Sequence, residues 1–213
     1  MAKKETDFDF IIIGAGGAGL AAAMYGARLG IKTLCLGHSS GSELPLGGVI
    51  TTTNVVENYP GFIRLTGTEL ADKIREHAQS YPEVTLKEEK AELVERQGNL
   101  FKVKTSESTY NGKTILFATG TKWKKLEVPG ALEYENKGVA YCSLCDAPFY
   151  KNKIVAVVGG SDSAVKDAMV VAEHAKKVYI IYRGEKIRPE PINYERIMKN
   201  KKIEIINNTN ITE

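Results

Sequence analysis

Two cysteines separated by two residues, Cys142-Ser143-Leu144-Cys145, with Asp146 next in line, are the side chains of this sequence best placed to do chemistry. The spacing lets the two sulfurs meet across one turn near a helix start. A helix N-terminus lowers a thiol pKa and so populates the thiolate, which is the nucleophile. A carboxyl group beside the pair can take and return the proton that thiol–disulfide exchange moves. Redox chemistry is the reading that uses all three residues. A structural zinc needs four ligands, and the rest of the chain offers only Cys35, His38, His77 and His174, none spaced as a second half-site. A pair of inert buried cysteines is the bland alternative. Cys35 lies within an apolar run and reads as core.

The second kind of chemistry is dinucleotide binding. Gly14-Ala15-Gly16-Gly17-Ala18-Gly19 is a full GxGxxG. In such a turn the first glycine makes the bend, and the second lets a pyrophosphate approach the backbone. The third lets helix and strand pack closely, with the helix N-terminus facing the anion. The acid expected about twenty residues further on, at the ribose, is missing. The second strand ends at Gly37-His38-Ser39, so either backbone and Ser39 hold the ribose or the site is weaker than its glycine motif suggests. Gly159-Gly160-Ser161-Asp162-Ser163-Ala164 is a weaker echo, a GxGxxA with Ser161 in the middle-glycine slot, where its hydroxyl either crowds a pyrophosphate or donates to it. Arg183 and Arg188 lie beyond the strand that follows. Cations there suit a 2′-phosphate and favour NADPH over NADH, although both arginines also read as plain surface charge.

These motifs need elements to position them. Asp9 to Ile13 is an isoleucine-rich run that reads as a buried parallel strand. Ala18 to Leu29 reads as a helix stopped by Gly30, and Thr33 to Leu36 as the next strand. Residues 37–65, rich in Gly, Ser, Thr and Asn, read as ordered loop. Thr66 with Glu69 forms a capping box ahead of Leu70, Ile74 and Ala78 at helical spacing. From Val84 to Ala118 the signals are mostly strand. Gln97-Gly98-Asn99 turns a hairpin between Leu93–Arg96 and Leu100–Lys104, and Thr114 to Ala118 is a buried strand. A boundary falls between Gly120 and Pro129, and then the pattern restarts. Ile154–Val158 is a strand, Ser163–Glu173 a helix and Val178–Tyr182 a strand, with a further helix over Asn193–Lys199 and a strand over Ile203–Ile206. The reading is α/β, with two Rossmann-like dinucleotide-binding domains of the three-layer ββα kind, over residues 1–120 and 121–213.

Composition narrows the rest. A net charge of +3 over 213 residues argues for neither nucleic acid nor a membrane surface. Three cysteines, an odd and sparse number, suit a reducing compartment with one special pair. The apolar stretch Phe10–Ala27 follows Glu5, Asp7 and Asp9 where a signal peptide wants positive charge, and it carries five glycines. The expectation is a cytoplasmic protein.

Two dinucleotide turns with a CxxC just before the second is an order that resembles the low-molecular-weight, prokaryotic type of thioredoxin reductase. That family belongs to the FAD- and NAD(P)-dependent pyridine nucleotide-disulfide oxidoreductases. The strings IIIGAGGAGLAAAMYGAR at 11–28, GGVITTTNVVENYPGF at 47–62, ATGTKWKKLEVPG at 118–130, YCSLCDAPFY at 141–150 and VAVVGGSDSAVKDA at 155–168 carry the resemblance. It implies an FAD-binding domain over 1–120 and an NAD(P)-binding domain over 121–213, the second inserted in the first and incomplete here. Gly14, Gly16, Gly17, Ala18 and Gly19 would hold the FAD pyrophosphate, with Gly37 and Ser39 at the ribose. Gly47, Gly48, Asn58, Thr119 and Gly120 would line the rest of the flavin site. Gly159, Gly160, Ser161, Asp162, Ser163, Arg183 and Arg188 would hold NADPH, or NADH. Cys145 would face the flavin, Cys142 would attack the disulfide of a thioredoxin-like protein, and Asp146 would be the acid/base.

The sequence departs from that family's pattern at several places. Val49 stands where a glutamine is common. The HRRxxxR cofactor signature is reduced to Tyr182-Arg183-Gly184 with Arg188. Ala147-Pro148 follows Asp146 where a glycine and an aromatic residue are frequent. The family's returning C-terminal segment, with its Gly-Asp flavin contact, has no counterpart after Ile203. The resemblance therefore implies an N-terminal portion, with a homodimer expected of the full-length form. The alternatives are a flavin- or nucleotide-binding fragment without turnover, and a reductase of another disulfide partner fed by a different donor.

Overall fold

A computed structural model describes residues 6–38 and 46–213. The chain divides into two compact units, residues 1–122 and 123–213.

The first unit is built on β1 (Phe8–Ile13), α1 (Gly17–Arg28) and β2 (Thr33–Gly37). α1 begins one residue earlier than the glycine pattern suggests. It stops as the sequence requires, with Gly30 at φ +71. The Gly30 N–H donates to Ala27 O at 2.8 Å and the Ile31 N–H to Gly26 O at 3.0 Å, the paired bonds of a Schellman cap. α2 (Gly67–Gln79) starts at the capping box, in which Thr66 accepts from the Glu69 N–H while the Glu69 carboxylate accepts from the Thr66 N–H at 2.7 Å. β3 (Val84–Glu88), β4 (Ala91–Gln97), β5 (Leu100–Thr105) and β6 (Thr109–Phe117) complete a sheet of order β3-β2-β1-β6-β5-β4. Its β3-β2-β1-β6 part is parallel, and β6-β5-β4 is an antiparallel meander.

Alternation along β1 and β2 separates two cores. Ile12 and Cys35 face α1 and α2, packing with Leu20, Ala23 and Ala78. Ile11, Leu34 and Leu36 face the other way and pack with Val103 of β5. The antiparallel part therefore covers the face that the helices leave, which makes three layers.

Two expectations about this unit are corrected. The loop over 37–65 contains a 3₁₀ turn, Val49–Thr52. The strand over 114–118 is not fully buried, since Phe117 is 64% exposed. β5 pairs with β6 only as far as Gly112, so from Thr114 onward β6 has β1 on one side and no paired neighbour on the other among the described residues.

The second unit opens with α3 (Ser143–Asp146) and a 3₁₀ turn, Ala147–Tyr150. β7 (Ile154–Val158), α4 (Asp162–His174) and β8 (Lys177–Ile181) follow as a parallel β-α-β unit. α5 (Pro191–Lys199) starts two residues before the expected helix because Pro191 sits at a first-turn position, where its missing N–H costs nothing. β9 (Ile203–Ile206) pairs parallel with β8. The core is formed by Val165, Ala168, Val171 and Ala172 of α4 against Val178 and Ile180 of β8, with Ala147 packed among them.

Candidate functional site

The redox turn lies at the start of the second unit. Cys142 and Cys145 are joined as a disulfide, with Cα atoms 5.3 Å apart. Cys142 is the N-cap of α3, and its Sγ accepts from the Cys145 backbone N–H at 3.3 Å. A donor aimed at that sulfur favours its thiolate once the disulfide opens. Cys142 is half-buried and Cys145 exposed. Asp146 closes the same turn, its N–H donating to Cys142 O at 3.1 Å, so the acid is held within one helical turn of both sulfurs. Tyr150 lies close enough for Asp146 to act on it: burial, and then the Asp146 charge, push its phenol up from the ordinary value. Cys35 is fully buried in β2, as its apolar neighbours require. Burial pushes its thiol up to about 12, which removes it from thiol chemistry.

The first glycine turn joins β1 to α1. Gly14 has φ +115, and a Cβ there would lie 2.1 Å from Ala118 O, so the bend is tight against the exit of β6. A Cβ on Gly19 would lie 1.8 Å from Gly14 O, which is the close helix–strand approach that demands the last glycine. Gly16 differs. It is the N-cap of α1, no side chain caps that terminus, and no acid lies in the first turn. The nearest atom to a Gly16 Cβ would be 3.6 Å away. A helix start with its donors uncapped and no Cβ in front of them fits an anion such as a pyrophosphate.

Several other expected residues gather at this turn. Gly47 forms a bridge with Gly16 and donates to Ala15 O at 2.9 Å. Gly48 packs on Gly16, Thr119 lies beside Gly14, and Gly37 packs on Ala15. Gly120 follows directly at φ +69, with open space around it. Asn58 is exposed in the loop closed by the Val56–Leu65 bridge. Ser39 lies outside the described residues.

The second turn joins β7 to α4. Gly159 has φ +149, and the Tyr182 ring packs so closely on Gly160 that a Cβ would fall 2.4 Å from it. Ser161 is the N-cap of α4 with its hydroxyl making no cap bond. Ser163 is exposed on the first turn of that helix. Arg188 returns to the turn through its backbone, bridging Ser161 and donating to Gly160 O at 2.6 Å. Arg183 lies just past the end of β8, exposed like Arg188.

Asp162 is committed within the fold. It accepts from the Glu190 N–H at 2.9 Å and Asn193 Nδ2 at 2.8 Å, and pairs with Lys166 at 2.8 Å. Burial raises its pKa, but Lys166, Asn193 and the Glu190 N–H together hold it below the ordinary carboxylate value. Sequence reasoning missed this clamp, which joins the N-termini of α4 and α5 across a separation only the fold closes. It missed equally the bond from Ser143 Oγ to Asp167 Oδ1, 2.5 Å long, beneath the redox turn. Among the described residues no helix is long and apolar enough to cross a membrane, and no group of three or more His, Cys, Asp or Glu is gathered to hold a metal.

Comparison with known proteins places this arrangement. Residues 8–213 match the family described as pyridine nucleotide-disulphide oxidoreductase. A thioredoxin reductase of Bacillus subtilis (strain 168) is 37% identical over 212 residues, covering 99% of this chain and 65% of the relative. One from Listeria monocytogenes is 38% identical over 214 residues, covering 100% of this chain and again 65% of the relative. Among solved structures, the Lactococcus lactis thioredoxin reductase in its FR conformation superposes with a TM-score of 0.88 at 37% identity, covering 95% of this chain and 65% of that one. The T. acidophilum thioredoxin reductase gives 0.88 at 36% identity, covering 98% and 66%. The chain thus spans about two thirds of the length of the relatives it matches, 65% for the curated ones.

Proposed function

The chain belongs to the pyridine nucleotide-disulphide oxidoreductase family, and from that premise we propose that it carries the redox turn and dinucleotide sites of a thioredoxin-disulfide reductase. In this reading residues 1–122 bind FAD and residues 123–213 bind a nicotinamide dinucleotide, NADPH rather than NADH. The second unit is inserted in the first in the full-length form, which is a cytoplasmic homodimer serving cell redox homeostasis. The observation that carries the reading is the Cys142–Cys145 disulfide on a one-turn helix ending in Asp146.

The uncapped start of α1 over Gly16, with Gly47 and Gly48 packed beside it, fits the pyrophosphate of FAD. FAD bound there supplies two-electron chemistry between a nicotinamide and a disulfide. The chain's own residues do the rest. In the dithiol form the Cys145 N–H stabilises the Cys142 thiolate, which attacks the disulfide of a thioredoxin-like protein. A Cys142–partner S–S bond forms and one partner thiolate leaves, taking up a proton. Cys145, its proton passing to Asp146, then attacks Cys142 Sγ, restores the intramolecular disulfide and releases the second partner thiolate. In this reading Cys145 is the sulfur that would exchange electrons with the flavin. Arg183 and Arg188 supply the cations for a 2′-phosphate.

Anaerobic titration of the FAD-loaded protein with NADPH and with NADH tests the reading. The flavin band is expected to bleach with NADPH at lower concentration than with NADH. A band that neither nucleotide bleaches would point to a different electron donor, and a protein that takes up no flavin would leave a nucleotide-binding fragment without turnover.

A further inference from the structure

Ser143, between the two cysteines, has its hydroxyl proton committed to Asp167 Oδ1 at 2.5 Å. Asp167 lies in α4, the helix that leaves the second glycine turn. Burial pushes the Asp167 carboxyl up, and the Ser143 bond works against that push. Four residues beyond Ser143, Ala147 is 1% exposed and packs with Val165, Ala168 and Val171 of the same helix. The redox turn is therefore seated on α4 at two points, one polar at its first residue and one apolar just past its last.

We propose that Asp167 is a positioning residue for the redox pair, holding Ser143 so that the Cys142–Cys145 turn stays seated on α4 when the disulfide is open. The inference rests on the redox reading given above. In the disulfide state the S–S bond already closes the turn, and the Ser143–Asp167 bond repeats that restraint. In the dithiol state the S–S bond is gone, and the polar tie with the Ala147 contact keeps the sulfurs in reach of one another. Removing the tie lowers the effective concentration of one thiol at the other and so disfavours the disulfide.

The test equilibrates the 213-residue chain anaerobically in glutathione buffers, with the dithiol fraction read by alkylation and mass spectrometry. The two thiols lose two protons and two electrons, the Cys142–Cys145 bond forms, and GSSG leaves as two GSH. Ser143→Ala and Asp167→Ala are each expected to shift the equilibrium roughly tenfold toward the dithiol, about 30 mV in midpoint potential. The double variant is expected to go no further than either single one, because both remove the same bond. Ser143→Thr, which keeps the hydroxyl, is expected to restore the wild-type equilibrium. A Ser143→Ala protein within roughly twofold of wild type, or single shifts that add, would overturn the proposal. If Asp167→Ala fails to fold, the Ser143 variants decide alone. A wild-type pair that does not cycle removes the redox reading and this inference with it, whereas a cycling wild type with an unchanged Ser143→Ala removes only the role of Asp167.

Discussion

The three cysteines show how position decides chemistry for a single side chain. Cys142 caps a helix and receives an N–H, whereas Cys35 is sealed between β1 and β3 in a sheet covered on both faces. In reduced protein at pH 8, alkylation is expected at Cys142 and Cys145 and not at Cys35 until the chain unfolds, which peptide mapping of the labelled sites reports. The raised Cys35 pKa also ties stability to pH. Below the ordinary thiol value of 9.0 both folded and unfolded thiols are protonated and the full stability is present. As pH rises from 9.0 toward about 12 the unfolded thiol ionises first and stability falls. Denaturant midpoints measured across that range are expected to drop in the wild type and to drop less in Cys35→Val.

Elements explain why a helix start and a strand end become a site. The β1–α1 turn works because Gly14 and Gly19 let two backbones pass at distances no side chain permits. Gly19→Ala is expected to destabilise the first unit by about 1–3 kcal/mol through overpacking and to abolish flavin uptake, read by thermal melts and by the absorbance of purified protein. The acid-side counterpart lies in the second unit. Asp162 is held charged by its clamp, so its contribution is fully present above the ordinary carboxylate value and is lost as pH falls through its lowered folded value. Asp162→Ala is expected to flatten the acid limb of the stability profile of that unit, measured by urea unfolding at successive pH values.

Much of this was legible in the chain itself, because glycines, a capping box and apolar runs are local signals. The Gly30 stop, the Thr66–Glu69 box and the Gln97-Gly98-Asn99 hairpin each carry their geometry within a few residues. The partial exposure of β6 was not legible, since it depends on where β5 stops pairing. Nor was the Asp162–Asn193 clamp, whose partners lie 31 residues apart in sequence and meet only because α4 and α5 lie side by side.

At the scale of the whole molecule, the chain pairs a unit whose glycine turn fits a dinucleotide with a unit whose glycine turn is altered. Ser161 fills the middle-glycine slot, Tyr182 covers Gly160, and Asp162 is spent on structure. In the proposed reading, discrimination between nucleotides falls to Arg183 and Arg188. Replacing either with alanine is expected to weaken NADPH roughly tenfold, the equivalent of one charge-assisted hydrogen bond, and to leave NADH unchanged, as titration calorimetry would show.

The claim at the centre is that Cys142 passes electrons to a protein disulfide and Cys145 resolves the adduct. It is tested most directly by trapping. Reduced Cys145→Ser protein is mixed with a thioredoxin that keeps only its attacking cysteine, blocked as a mixed disulfide with thionitrobenzoate. The account predicts release of one thionitrobenzoate per chain and a covalent adduct mapped to Cys142 that wild-type protein does not accumulate. An adduct at Cys35, or no adduct while the thiol of Cys142 stays free, would contradict it.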